Sequence, residues 1–177
     1  HTNDQEAQIH FWDFRYYQTQ YMKQDFGVDP EALRVYFPLK QVLAGMFEAY
    51  EHIFELEFTP IRPEYKWIDD LELYVVSDRA TGEPLGMFYL DNFPREGKYN
   101  HFAQFDIIGG KALRDGTYQR PVVALVCNFT PGVGDAPALM SHYEVETIFH
   151  EFGHAMHSIL TRAKFGRYAG ANVARDF

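Results

Sequence analysis

The chain has 177 residues, of which 46% are hydrophobic, 17% aromatic and 23% charged. This length suits one domain, or two small ones, and hides roughly 70% of the unfolded surface; the composition excludes wholesale disorder, collagen-like sequence and low complexity. The formal charge of −9 comes from 25 acidic and 16 basic residues, without a Lys/Arg run, which argues against nucleic acid as a partner because phosphate binding needs clustered positive charge.

In chain order, residues 8–25 read as a helix. Ile9, Trp12, Tyr16 and Thr19/Gln20 fall near helical spacing, and Phe11, Phe14, Tyr17 and Tyr21 thicken the apolar side. Gly27 and the Asp29-Pro30 pair end it. Leu39 to Leu56 reads as a second, amphipathic helix with Pro38 at its start and a stripe through Leu43, Met46, Phe47, Tyr50 and Phe54. Residues 1–60 are thus the helical part, closed by breaks at Pro60 and Pro63.

Residues 68–130 read as a small antiparallel sheet. Leu71, Leu73 and Val75 alternate with Glu72, Tyr74 and Val76, Asp78 to Glu83 supplies a turn, and Leu85 to Leu90 returns as the second arm of a hairpin. Phe93 to Lys98 is a loop with no chemistry assigned to it. Phe102 to Ile108 is a candidate strand, Gly109 to Gly116 a turn-rich loop, and Val122 to Phe129 a strand. Gly109-Gly110-Lys111 lacks the spacing of a phosphate-binding loop, and Asn128-Phe129-Thr130 is a chance match to a glycosylation acceptor.

The single cysteine, Cys127, has no internal disulfide partner, which fits a reducing compartment. The acidic, polar N-terminus is unlike a signal peptide, and no apolar run reaches 18 residues. The expectation is a cytoplasmic protein without a membrane partner.

Residues 142–161 read as the helix that carries the chemistry. Ser141 and Glu144 fit a capping box, and Val145, Ile148, Phe149, Phe152, Ala155, Met156 and Ile159 form its apolar face. On the flank of that face stands His150-Glu151-Phe152-Gly153-His154. Residues four apart share a helix face, so both imidazoles can reach one tetrahedral zinc ion. Glu151 lies about 100° round the helix, beside the ion, where a metallopeptidase places its general base. Zinc peptidases of this type set an edge strand beside the motif helix to pair with an extended peptide, and Val122 to Phe129 is the candidate for it. His157 shares the histidine face, but one helix does not readily offer three ligands to a tetrahedral ion, so a packing or supporting role is expected.

A catalytic zinc takes three protein ligands. The pattern with a third histidine after a glycine is excluded, because His157 and Leu160 occupy those positions. After His154 the chain has no Glu, and its only acid is Asp176. Either Asp176 serves or the third ligand lies outside the chain.

The chain resembles the thimet oligopeptidase family of zinc peptidases, which includes oligopeptidase A and dipeptidyl carboxypeptidase. The resemblance rests on Glu144-Val145-Glu146-Thr147, Phe149 to His157 and Gly170 to Phe177, with Tyr36-Phe37-Pro38-Leu39, Gly86 to Phe93, Pro94 to Tyr99 and Asn128-Phe129-Thr130 upstream. It covers nearly the whole chain; Tyr143 departs from the acidic residue usual there. It implies an α+β, mostly helical, zincin-like catalytic core, present in part, and one zinc ion as cofactor. It also implies that Asp176 belongs to a D-x-x-E element whose Glu, two positions past Phe177, is the third ligand. Asp176 then orients a histidine ligand, or else caps a helix; both readings stand. On this view the chain is an internal piece of one catalytic domain of a longer enzyme that hydrolyses short peptides, and it is inactive alone. The remaining polypeptide is its partner, and exposed core surface lets copies associate. Two alternatives are another H-E-x-x-H hydrolase, such as an aminopeptidase, and a non-catalytic piece that binds metal or peptide.

Overall fold

A computed structural model describes residues 9–174. Helix α1 spans Phe14–Phe26, behind a short 3-10 turn over Phe11–Asp13. Gly27 ends it in the left-handed region, at φ 65°. None of its residues is buried, and Phe14, Tyr16 and Tyr21 are exposed. The apolar side read from the sequence has no cover among the described residues.

Helix α2 spans Leu39–Phe54 and buries Leu39, Leu43 and Met46. It ends two residues before the expected Leu56, because Glu55 turns the chain at φ 54°. Strand β1, Leu56–Ile61, starts at once and was not expected. Pro60 reads as a break, yet it sits in an outer strand, where a missing N–H leaves no ladder bond unmade.

The hairpin forms as expected, from β2 (Glu72–Asp78) and β3 (Pro84–Asp91). Strand β4 is Ala103–Ile108 and β7 is Val122–Val126; between them β5 (Lys111–Ala112) and β6 (Tyr118–Gln119) make a small separate ladder inside the stretch read as turns. The main sheet runs β1-β2-β3-β7-β4. It is mixed, not antiparallel, since β7 pairs parallel with β3 and antiparallel with β4. The cause is visible in the residues. Val122-Val123-Ala124-Leu125 is apolar on both faces and buried throughout, so it takes an interior place, while the largely exposed β4 takes the edge.

Helix α3, His142–Ile159, has the expected cap: the Ser141 hydroxyl accepts from the Glu144 N–H at 3.2 Å, and the Ser141 N–H is donated to Glu144 Oε2. Arg34 adds an ion pair to that carboxylate at 3.1 Å. Helices α2 and α3 share a core with one face of the sheet, where the Phe152 ring lies 5.5 Å from Phe47 and 5.3 Å from Phe88. Gly86 permits this seat. A Cβ there would meet Pro121 O at 2.8 Å and Ile159 Cγ2 at 3.1 Å. On the other face Trp67 packs on Tyr89 with centroids 4.9 Å apart. Helix therefore does not dominate the described residues, against expectation, because period-two alternation governs the middle of the chain. Among the described residues no helix is long and apolar enough to cross a membrane.

Candidate active site

Ile148, Phe152, Ala155, Met156 and Ile159 are buried and press α3 onto the sheet. That turns His150 and His154 outward, and both are exposed. Their Nε2 atoms converge to 3.0 Å. Two nitrogens bound to one tetrahedral zinc stand about 3.3 Å apart, from Zn–N lengths of about 2.0–2.1 Å. The pair therefore fits two places on such an ion.

Glu151 is half-buried on the side facing the sheet edge. Its Oε2 accepts the backbone N–H of Gln104, in β4, at 3.1 Å. The edge beside the motif helix is thus β4, and the expectation of Val122 to Phe129 is corrected: β7 lies inside the sheet, with β4 covering it.

His157 does not join the pair. It is exposed, and among the described residues its side chain makes no hydrogen bond. It lines an apolar groove of about 710 Å³ between α2 and α3, with Tyr50, Phe149 and Tyr168. Asp176 lies outside the described residues. Among those described, no group of three or more His, Cys, Asp or Glu side chains could hold a metal ion. Cys127 is free and fully buried, and burial pushes its thiol far above the usual range, which keeps it protonated and unsuited as a ligand.

Sequence reasoning missed a second group of residues. Asp91, at the end of β3, is buried and receives four donors. Arg95 reaches both its oxygens, at 2.8 and 2.9 Å; Lys98 Nζ reaches Oδ1 at 2.8 Å, and Trp67 Nε1 reaches Oδ2 at 2.9 Å. Burial alone raises the carboxyl, but the bonds from Arg95, Lys98 and Trp67 outweigh it and hold Asp91 below the usual range. The Lys98 side chain is itself buried and also donates to the carbonyls of Asp91, Phe93 and Cys127. The available signal was three charges, at 91, 95 and 98, next to an apolar strand. The Gln104 amide left no signal, since a backbone group looks alike in every sequence.

The model of peptidase family M3 matches residues 1–177. The chain belongs to peptidase family M3. A thimet-like oligopeptidase of Dictyostelium discoideum is 39% identical over 94% of this chain and 25% of its own length. Saccharolysin of Saccharomyces cerevisiae is 38% identical over 97% of this chain and 25% of its own, and oligopeptidase A of Escherichia coli 35% identical over 90% and 23%. The chain thus spans about a quarter of the length of these M3 relatives. The family expected from the sequence motifs is the family found.

Proposed function

We propose that this chain carries part of the catalytic centre of a zinc-dependent oligopeptidase, with His150 and His154 as metal ligands and Glu151 as general base. The observation that carries the reading is one helix that points two converging imidazole nitrogens and a carboxylate past an open sheet edge. Two of the M3 relatives named above are called oligopeptidases. The fold reading that goes with it is a zincin-like core within a longer, mostly helical protein.

The residues divide the work. His150 and His154 would hold the ion through neutral imidazoles. When bound, zinc supplies Lewis acidity and generates a nucleophile near neutral pH. Glu151 takes a proton from the attacking water at a carboxylate oxygen and passes it to the leaving amine. Strand β4 offers its free edge to an extended peptide, which the backbone pairs without reading side chains. The third ligand comes from outside the described residues, Asp176 orients a histidine, and His157 lines the groove beside the motif without touching the pair. Short peptides are the substrates, the rest of the polypeptide is the partner, and the isolated chain is inactive.

A zinc titration of this chain, with His150→Ala as control, tests the ligand set. Weak binding is expected, because two ligands are too few; tight stoichiometric binding lost in the variant would assign the third place to Asp176 or to a second copy. In the full-length polypeptide, chelation should stop hydrolysis of an N-acetylated peptide and zinc should restore it. Cleavage only of peptides with a free N-terminus would instead make it an aminopeptidase.

A further inference from the structure

The buried cluster at the end of β3 lies where the chain leaves the sheet interior to build the edge. Asp91 is the last residue of β3, and β4 begins at Ala103. The Lys98 ammonium ties this crossing together. It bonds the Asp91 carboxylate and carbonyl, the Phe93 carbonyl in the loop, and the Cys127 carbonyl just past the end of β7. Its side chain is 3% exposed and that of Asp91 4%. An ammonium has three hydrogens, and every one has an acceptor here.

Two further contacts extend the clamp to the start of β4. Asn128 Nδ2 donates to the carbonyls of Tyr99, at 2.9 Å, and His101, at 3.1 Å. The Phe102 ring then meets Phe129 with centroids 4.9 Å apart. From Lys98 to Phe102 the loop is therefore fixed to the segment that follows β7. Two residues later, the Gln104 N–H meets Glu151 Oε2. Among the described residues, edge strand β4 has β7 as its only partner in the sheet, and a bulge between Asp106 and Ile108 loosens its far end. Its near end must hold it in place, since a slip by one residue would carry every side chain and amide to the wrong side.

We propose that Lys98, locked to Asp91, is a positioning residue: it fixes where β4 begins, and through the Gln104 amide it holds the Glu151 carboxylate beside the histidine pair. The inference deepens the reading of Glu151 as a base and rests on it. Removing Lys98 alone would leave Asp91 with Arg95 as its one counter-charge and the buried carbonyls of Asp91, Phe93 and Cys127 without the ammonium, a change that mixes stability with position. The double replacement Asp91→Leu with Lys98→Met removes both charges and separates stability from position.

The experiment uses the full-length polypeptide loaded with zinc. Expected for the double variant are a cooperative melting transition above the assay temperature and a zinc content like that of the parent. Its kcat should fall at least tenfold while KM changes less than threefold, and amide exchange over 103–106 should be faster. Arg120→Ala, which removes an exposed pair with Glu83, should change none of these. A double variant with the parent's kcat and the parent's exchange at 103–106 would overturn the proposal and leave the cluster a structural filler. Glu151→Gln run in parallel separates the two readings. Normal turnover there would sink Glu151 as base, while the exchange data would still decide whether Lys98 places β4.

Discussion

Both edges of the sheet end on a helix glutamate. At β1 the Phe58 N–H is donated to Glu51 Oε1 of α2 at 2.9 Å; at β4 the Gln104 N–H is donated to Glu151 Oε2 of α3 at 3.1 Å. The contacts are chemically alike, and their surroundings set them apart. Arg79 sits 3.5 Å from the second oxygen of Glu51, and Pro60 removes another donor from that edge. That edge is closed against further pairing. Glu151 has no cation on it among the described residues, and its helix presents His150 and His154 on the adjoining turn faces. A carboxylate on a strand amide is therefore a seal in one place and, on the function proposed above, a base in the other, according to what its remaining lone pairs face.

Substitutions at the two edges test this contrast. The largest effect is expected from Glu151→Gln in the full-length polypeptide, where peptide turnover should fall by about 10²–10⁴-fold while bound zinc, measured by metal analysis, is unchanged. Glu51→Gln should leave turnover within twofold; equal losses at both positions would erase the distinction.

Next in size is Asp91→Asn, which leaves Lys98 and Arg95 without their counter-charge and should cost about 3–5 kcal/mol at pH 7 in urea unfolding. The sign of its pH dependence follows from linkage. The folded carboxyl titrates below the unfolded one, so its contribution is complete above the unfolded value of about 3.9 and vanishes as pH falls through the lower folded value. The parent should therefore lose stability as pH drops below about 4, and Asp91→Asn should flatten that limb.

Gly86→Ala should cost about 1–3 kcal/mol, since its Cβ would push Ile159 and the Pro121 carbonyl away. The displaced helix is α3, so exchange should quicken at β4 and not at β1. Glu51→Ala strips the β1 seal and should cost about 1 kcal/mol, without effect on exchange at β4. Smallest is Glu55→Gly at the left-handed turn between α2 and β1, where the left-handed strain of a non-glycine residue is relieved at some cost in chain entropy. A gain of about 0.5 kcal/mol is expected, read as a higher melting temperature.

Local pattern made part of this legible. The stripe from Leu39 to Phe54, the alternation around Asp78 to Glu83, and the Ser141–Glu144 cap each announce an element within a few residues, and all three form. The spacing of His150 and His154 gives their convergence for the same reason, since one helix turn relates them. Strand order is different. That β7 lies inside and β4 outside depends on residues far apart in sequence, and a run such as Val122 to Leu125 is equally apolar wherever it sits. Strand β1 was hidden by Pro60, whose meaning changes between a sheet interior and an edge. The Asp91–Lys98 cluster was hidden by its setting in a Pro/Gly loop, where charges ordinarily face water.

The strand order also dictates a sequence of events during synthesis. Strands β1, β2 and β3 are made in the order in which they pair, so each finds its neighbour as it emerges. Strand β4 is made before β7, yet β7 is the strand it pairs with among the described residues. It must wait, unpaired, while Gly109 to Pro121 is added. Closing that longer loop is slower than closing a hairpin. The edge next to Glu151 is thus the last part of the sheet to acquire protected amides, and a nascent chain stopped before Val122 would hold the β1–β3 meander with β4 unpaired.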